Sequence, residues 1–344
     1  MSPPVLMGQQ TPIRVLVLGH GLLGRALLEG LMADARCQVV GVFRWSERVA
    51  TRKKLIRKRK DPEDHLFDIC IRAARLPRIR GCSGANSPQF LQKLQRLQPN
   101  LILVGSWGEI LKPQVLASIA IPIINCHPSL LPAFRGANPY CAAIRAGMQE
   151  SGVSFHQLVP AIDAGPIVLQ APLPVLPTDT GGDLRDRCCE LARQLMPVLL
   201  DRLTVEGPVA VQPQQEELAS YQPSLKLEDG VIRWQQDAPW AIYNQVRAHQ
   251  PWLDSITFVG GRWPIGIQKA SVLQVPPKSV RSVAPGTLLA VRSEGLVVST
   301  TEPERYVLLE RFKLFFGFFL PVALSLWLAQ RLFRPGQRLC EEWR

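Results

Sequence analysis

An amide, an imidazole and a carboxylate fall within one short stretch of this chain. Asn125 and His127 open the run Asn125-Cys-His-Pro-Ser-Leu-Leu-Pro132, Arg135-Gly136 follows, and Asp163 comes 36 residues after the histidine in Ile-Asp-Ala-Gly. Such a set suits transfer of an acyl group between amines. Attack of an amine makes the acyl oxygen negative, and an amide N–H can donate to it. The imidazole can assist proton transfer and balance charge, while the carboxylate fixes its tautomer and orientation. Two residues apart, Asn125 and His127 face the same side of a strand continuing from Ile121-Pro-Ile-Ile124. Cys126 then points the other way and reads as core rather than nucleophile. Asp163 must arrive from another loop.

The elements that carry these residues alternate. Ile13–Leu18 and Gln38–Phe43 read as strands, with a helix from the Gly19-His-Gly-Leu-Leu-Gly24 turn to about Met32. A helix is expected from Pro62, with Glu63 and Asp64 in its first turn, where the helix dipole favours acids. Another runs from Ser87 to Leu97, ahead of short apolar strands at Leu101–Val104 and Pro122–Ile124. A strand at Pro166–Gln170 and one long helix from Leu184 to Leu203 close the unit. Strands alternating with helices imply an α/β, Rossmann-like fold with a mostly parallel sheet. Ligands of such sheets gather beyond the carboxyl ends of the strands, where Gly105-Ser-Trp-Gly108 and Asn125–Pro132 fall. The pattern Gly19-x-Gly21-x-x-Gly24 is that of a dinucleotide turn, but no acid ends the second strand; the glycines read as tight-turn geometry, without NAD(P).

Residues 205–230, rich in Pro, Gln and Glu, read as a linker between a catalytic domain (1–204) and a second domain (231–344). In the second, a helix over Trp240–His249 precedes short strands (Ile256–Val259, Ile265–Val272, Thr287–Val291, Leu296–Ser299, Val307–Arg311) with glycine turns, the spacing of a small β-barrel. Sixteen residues without a charge, Leu314–Ala329, lie between Lys313 and Arg331. That is short of the roughly 20 needed to span a bilayer. Residues 314–330 are therefore expected as an apolar helix, buried or facing a protein or membrane partner.

At 344 residues, 47% apolar and 20% charged, the chain describes a folded protein long enough for two cores. Its eight scattered cysteines form no Cys-x-x-Cys pair, and no cluster has metal-ligand spacing. With no secretory signal read at the N-terminus, reduced thiols and a cytoplasmic setting are expected. The net charge of +12 is uneven. Nine basic residues and one acid crowd Arg44–Lys60, and fourteen basic residues face eight acids from Val231 onward. Two basic zones suggest a polyanionic partner.

Asn125-x-His127-Pro-Ser-Leu-Leu-Pro-x-x-Arg135-Gly136, Gly152-Val-Ser-Phe-His156 and Asp163-Ala-Gly165 together resemble the active-site pattern of the folate-dependent formyltransferases, in order and spacing. Lys226-Leu-Glu-Asp-Gly-Val-Ile-Arg-Trp234, Arg247-Ala-His-Gln-Pro-Trp252, Lys269-Ala-Ser-Val272, Ala284-Pro-Gly-Thr287 and Pro335-Gly-Gln-Arg-Leu339 are similar to the C-terminal domain of the methionyl-tRNA formyltransferases, an open barrel of oligonucleotide-binding type. The resemblance runs from about residue 13 to 339.

It implies a formyl donor, 10-formyltetrahydrofolate, no metal, and an amine acceptor. Asn125, His127 and Asp163 take the catalytic positions. The pterin pocket maps onto Leu103, Gly105, Trp107, Ile110 and Leu111 and onto Ala161 and Ile162, with Ser129, Leu130, Leu131 and Pro132 shaping the groove beside it. The acceptor it implies is initiator methionyl-tRNA, met by Lys53, Lys54, Arg57, Lys58, Arg59 and Lys60 of the basic loop and by Arg135. An amino sugar-nucleotide or another small amine is the alternative acceptor; a non-catalytic RNA- or membrane-binding protein on the same scaffold is the reading of another class. Ala133-Phe134, Asn138-Pro-Tyr140 and Pro160-Ala161 depart from the usual pattern and bear on the acceptor rather than on the chemistry.

Overall fold

The computed structural model describes residues 12–44, 62–204, 209–274, 283–315 and 318–342. Lys53, Lys54, Arg57, Lys58, Arg59 and Lys60 of the basic loop lie outside the described residues. Two compact units divide the chain, one from Met1–Pro139, Glu150–Pro174 and Arg185–Gln222, the other from Tyr140–Gln149, Val175–Leu184 and Pro223–Arg344.

The first unit is a six-stranded, mostly parallel sheet. Strand β1 (Ile13–Gly19) pairs in parallel with β2 (Cys37–Arg44) on one side and β3 (Leu101–Gly105) on the other. Its unbroken apolar run is what a strand flanked and covered on all sides requires, and Val15, Leu16, Val17 and Leu18 are fully buried. Burying each such side chain contributes about 1.5–3 kcal/mol. Strand β4 (Ile123–His127) extends the parallel set beside β3. The short β5 (Arg135–Gly136) stands apart. Then β6 (Glu150–Gln157) and β7 (Ile167–Pro174) complete the sheet antiparallel, in the order β2-β1-β3-β4-β6-β7.

Helix α1 (Gly21–Met32) leaves the glycine turn, α2 (Pro62–Ala73) follows β2, and α3 (Pro88–Leu97) is capped by Ser87, whose hydroxyl accepts from Phe90 N. A Cβ on Gly24 would lie 3.3 Å from the carbonyl carbon of Gly19, so these glycines let strand and helix close on one another. The short α4 (Pro113–Ser118) precedes β4, and α5 (Pro139–Arg145) precedes β6. The long helix expected over Leu184–Leu203 is two: α6 (Gly181–Gln194) and α7 (Met196–Thr204). Pro197 is the physical reason, since it has no N–H to offer the carbonyl of Arg193. Residues 209–222, within the expected linker, pair with the first unit: β8 (Tyr221–Gln222) runs parallel to β5, and Gln212 bridges Ile167.

The second unit packs α8 (Pro239–His249) against an antiparallel sheet. Its strands are β9 (Ser255–Val259), β10 (Trp263–Gln274), β11 (Leu288–Val291), β12 (Leu296–Ser299), β13 (Arg305–Leu314) and β14 (Leu339–Cys340), in the order β11-β12-β13-β10-β9-β14. The two edges meet, because Leu288 N donates to Gln337 O at 2.8 Å and Leu339 N to Gly286 O at 2.7 Å. The sheet thus curls into the expected barrel around Trp234, Ile267, Val298 and Phe312. The apolar stretch is not one helix. Leu314 ends β13, Phe315 bridges Phe319, and α9 (Val322–Leu332) starts only after Pro321, the residue that can open a helix but not continue one. No helix among the described residues is long and apolar enough to cross a membrane.

Candidate active site

Alternation along β4 turns Asn125 and His127 to one face and buries Cys126 on the other, where burial pushes its thiol pKa well up. Register supplies the rest of the surface. Asn125 lies opposite His156 on β6, and His127 opposite Ser154, which in turn faces Gln170 on β7. Residues directly opposite in an antiparallel pair share a face. Two polar rows, Asn125–His156 and His127–Ser154–Gln170, therefore cross this part of the sheet.

Since β6 runs antiparallel to β4, the loop after it starts level with Ile124 and must fold back to bring Asp163 over this face. It does so in a left-handed backbone conformation at Asp163 (φ 50°), one that a carboxylate side chain tolerates better than most. The turn has no room for a side chain at Gly165, where a Cβ would sit 1.7 Å from the carbonyl oxygen of Gln157. The side-chain amide of Gln214, from the segment expected as linker, clamps the loop by donating to both Asp163 O and Gly165 O at 2.7 Å. Arg135 holds Gln214 in turn, donating to its Oε1 from Nε at 3.1 Å and Nη2 at 2.8 Å and pairing with Glu216.

The Asp163 carboxylate is the hub. Oδ2 accepts from the Gly136 N–H at 2.8 Å and lies 3.5 Å from His127 Nδ1; Oδ1 accepts from Asn125 Nδ2 at 3.2 Å and lies 3.4 Å from His156 Nε2. Burial works to raise its pKa. In acid, a hydrogen bond from protonated His156, the charge of protonated His127 and the Gly136 N–H outweigh that and hold it down at about 2. It is a permanent anion at neutral pH.

A carboxylate was expected to fix the tautomer of His127, but a carbonyl does so. His127 Nε2 stands 2.9 Å from Phe134 O, which can only accept, so the proton of the neutral ring sits on Nε2. Nδ1 is left with a lone pair facing Asp163. Burial lowers the His127 pKa and Asp163 opposes it, the net direction being down, so the ring is neutral at pH 7 and ready to accept a proton at Nδ1. On His156, Nδ1 is 3.0 Å from Gln157 O and donates there, which leaves Nε2 to accept from Asn125 Nδ2 at 3.0 Å. Both hydrogens of the Asn125 amide are thus directed within the cluster, the longer bond going to Asp163.

The sequence pattern named Asn125, His127 and Asp163, and the structure brings all three together. It did not name as site residues His156, Ser154, Gln170 and Gln214. The first two had a signal in Ser154-Phe-His156, two polar residues at strand spacing on one face. Ser154 donates to Ser129 O at 2.6 Å and accepts from Leu131 N at 3.1 Å, while Ser129 donates to Ala133 O, so Ser129 and Leu131 lie against the sheet in the turn that ends at Pro132. Of the expected pterin positions, Leu103, Gly105 and Leu111 are buried, and Trp107 leans on Phe43 at 5.1 Å. Leu130 and Pro132 are half-buried, while Ala161, Ile162 and Ile110 are exposed. Arg135, grouped by its sequence context with the tRNA contacts, is buried with its guanidinium taken up by Gln214 and Glu216.

The family model described as formyl transferase matches residues 13–200, and that described as formyl transferase, C-terminal domain, matches residues 224–314. The chain belongs to the formyl transferase family. Among its relatives, a methionyl-tRNA formyltransferase of Roseiflexus sp. is 32% identical over 297 residues, 85% of this chain and 88% of the relative. One of Chloroflexus aurantiacus is 33% identical over 298 residues, covering 87% and 91%. The fold is shared with an N-formyltransferase from Helicobacter canadensis, solved with folinic acid and dTDP-3-aminofucose (TM-score 0.61, 16% identity, 87% of this chain and 99% of that one). Both units of the chain are thus formyltransferase units, and the polar face of the sheet lies in the one matched over 13–200.

Proposed function

We propose that the protein transfers a formyl group from 10-formyltetrahydrofolate to the amino group of initiator methionyl-tRNA. The observation that carries this reading is the convergence of Asn125, His127 and His156 on the single carboxylate of Asp163, in a chain that aligns with enzymes named methionyl-tRNA formyltransferase over 85–87% of its length. The donor supplies the formyl carbon. Every other part of the reaction falls to side chains already in place.

His127 takes the proton of the attacking amine at Nδ1, where Asp163 stabilises the imidazolium 3.5 Å away, and returns it to the folate nitrogen as that nitrogen's bond to the formyl carbon breaks and tetrahydrofolate leaves. Asn125 exchanges its longer bond, the 3.2 Å one to Asp163, for a bond to the oxygen that becomes negative. Protonation of His127 favours that exchange, because the carboxylate then faces a cation 3.5 Å away. His156 accepts the other Asn125 N–H and fixes the plane of the amide. Phe134 O, fixed by a left-handed residue (φ 59°), locks the His127 ring. The exposed apolar side chains of Ile110 and Ile162 suit the flat face of a pterin, and Leu130 and Pro132 the groove beside it. Residues 1–204 carry the transfer in this reading, with 205–230 joining them to a barrel, 231–344, that holds the tRNA backbone; the basic loop Lys53–Lys60 supplies further phosphate contacts.

The test is an acceptor screen with purified protein and 10-formyltetrahydrofolate, setting methionyl-tRNA against an amino sugar-nucleotide. Formylation of methionyl-tRNA at catalytic rates supports the proposal; formylation of the sugar alone refutes it.

A further inference from the structure

The turn before α9 and one face of α9 leave large apolar side chains in solvent. Phe318 is 66% exposed, Phe319 46%, Leu324 42% and Trp327 48%. Leu324, Trp327 and Arg331 follow one another at spacings of three and four, so they share a helix face, while Ser325 and Ala329 on the opposite face are buried. The helix is thus amphipathic in an unusual sense: its outer face is the one that would ordinarily be polar. Isolated exposed hydrophobics need no explanation, but a run of two phenylalanines, a leucine and a tryptophan within ten residues does.

Charge decides what could cover it. From Arg311 to Cys340 the sequence holds five basic residues (Arg311, Lys313, Arg331, Arg334 and Arg338) and no acid. The Arg331 guanidinium lies 3.6 Å over the Trp327 ring, so a cation rides directly on the apolar face, and Arg334 follows at the end of the helix. Aromatic side chains with arginines at their rim match an interface that is apolar beneath and anionic at its surface. A spanning role is ruled out by length, since eleven residues rise only about 16 Å against a hydrocarbon core of about 30 Å.

We propose that this face, Phe318–Phe319 with Leu324, Trp327 and Arg331, docks the protein on an anionic lipid surface, with α9 lying in the plane of the headgroups. Docking through this face does not depend on which amine is formylated. Each arginine near such a surface is worth about fivefold in partitioning. Each large apolar side chain withdrawn from water is worth about tenfold or more.

The experiment is vesicle co-sedimentation of the full-length protein, with phosphatidylcholine alone and with phosphatidylcholine–phosphatidylglycerol at three to one. The wild type, a Leu324→Ser/Trp327→Ser variant and an Arg331→Ser/Arg334→Ser variant are compared. Expected are binding to the anionic vesicles at least tenfold tighter than to neutral ones, weakening with salt, and a loss of at least tenfold in each variant. Formylation of methionyl-tRNA by the Leu324→Ser/Trp327→Ser variant should be unchanged. Absence of vesicle binding, or equal binding by the variants, overturns the proposal. So does a dimer that the Leu324→Ser/Trp327→Ser variant dissolves, which would make a second copy the occupant. Loss of tRNA affinity in that variant would assign the face to the nucleic acid instead, and also overturns it.

Discussion

Gln214 lies 51 residues beyond Asp163, yet its substitution should damage catalysis as an active-site change would. Gln214→Ala removes two bonds to the carbonyls of Asp163 and Gly165, both 2.7 Å, and takes from Arg135 one of its two partners. A net hydrogen bond is worth about 0.5–1.5 kcal/mol, and a buried carbonyl left unpaired costs about 1–3 kcal/mol. The loop should therefore lose about 2–4 kcal/mol of its preference for the observed conformation. That is enough to release a left-handed Asp163, since such a backbone costs about 1–3 kcal/mol to hold. Displacement of the carboxylate by about 1 Å predicts a fall in kcat of about 10²-fold, with the KM for the formyl donor little changed. Gln214→Glu, which keeps the acceptor for Arg135 but loses both donors, should be no better than alanine. Steady-state formylation kinetics and amide exchange over residues 161–166 read the two effects separately. Wild-type kcat in a Gln214→Ala protein whose loop exchanges faster would refute the reasoning.

Other expectations follow from the same geometry. Gly165→Ala should abolish formylation more completely than Gln214→Ala, because its Cβ meets backbone rather than a movable side chain; activity assay and thermal unfolding check it. His249 is fully buried in α8, and burial, helped by the Arg145 cation, lowers its pKa to about 4. Its folded value is thus below the ordinary 6.5, so the unfolded chain takes up a proton that the folded one refuses. Stability should fall between pH 6.5 and about 4 by about 1.4 kcal/mol per unit, and His249→Gln should flatten that slope in urea unfolding. Replacing Lys53, Lys54, Arg57, Lys58, Arg59 and Lys60 with serine should weaken tRNA binding and reduce its salt dependence by about 0.7–0.9 of a log unit per lost phosphate contact, with folate binding unchanged. Equal slopes for both proteins would make the loop a solvated surface only.

Much of this site was legible because strands write their faces into the sequence. The spacing of Asn125 and His127 placed them together, and the apolar runs of β1, β3 and β4 marked a buried parallel sheet. Long-range pairing was not legible. Nothing local says that Ser154 and Gln170 fall in one row with His127, since that depends on register between three strands. Gln214 was missed for the same reason, and Arg135 was named only as a tRNA contact: a glutamine in a Pro- and Gln-rich stretch looks like linker, and an arginine beside the site looks like a phosphate contact, until each is seen to hold the other. The tautomer of His127 depends on a backbone carbonyl, which no side-chain pattern reveals. The split of the helix at Leu195 was readable from Pro197, and the late start of α9 from Pro321.

In the proposed reaction His127 Nδ1, facing Asp163, accepts the proton of the attacking amine while Asn125 holds the oxygen of the formyl group. Single-turnover formylation of methionyl-tRNA with 10-formyltetrahydrofolate tests it most directly, comparing wild type with folded Asn125→Ala, His127→Ala and Asp163→Ala proteins. The wild type should give stoichiometric formyl-methionyl-tRNA, and each variant should lose about 10²–10³ or more in rate with both substrates still bound. A folded His127→Ala protein that formylates at the wild-type rate would contradict it.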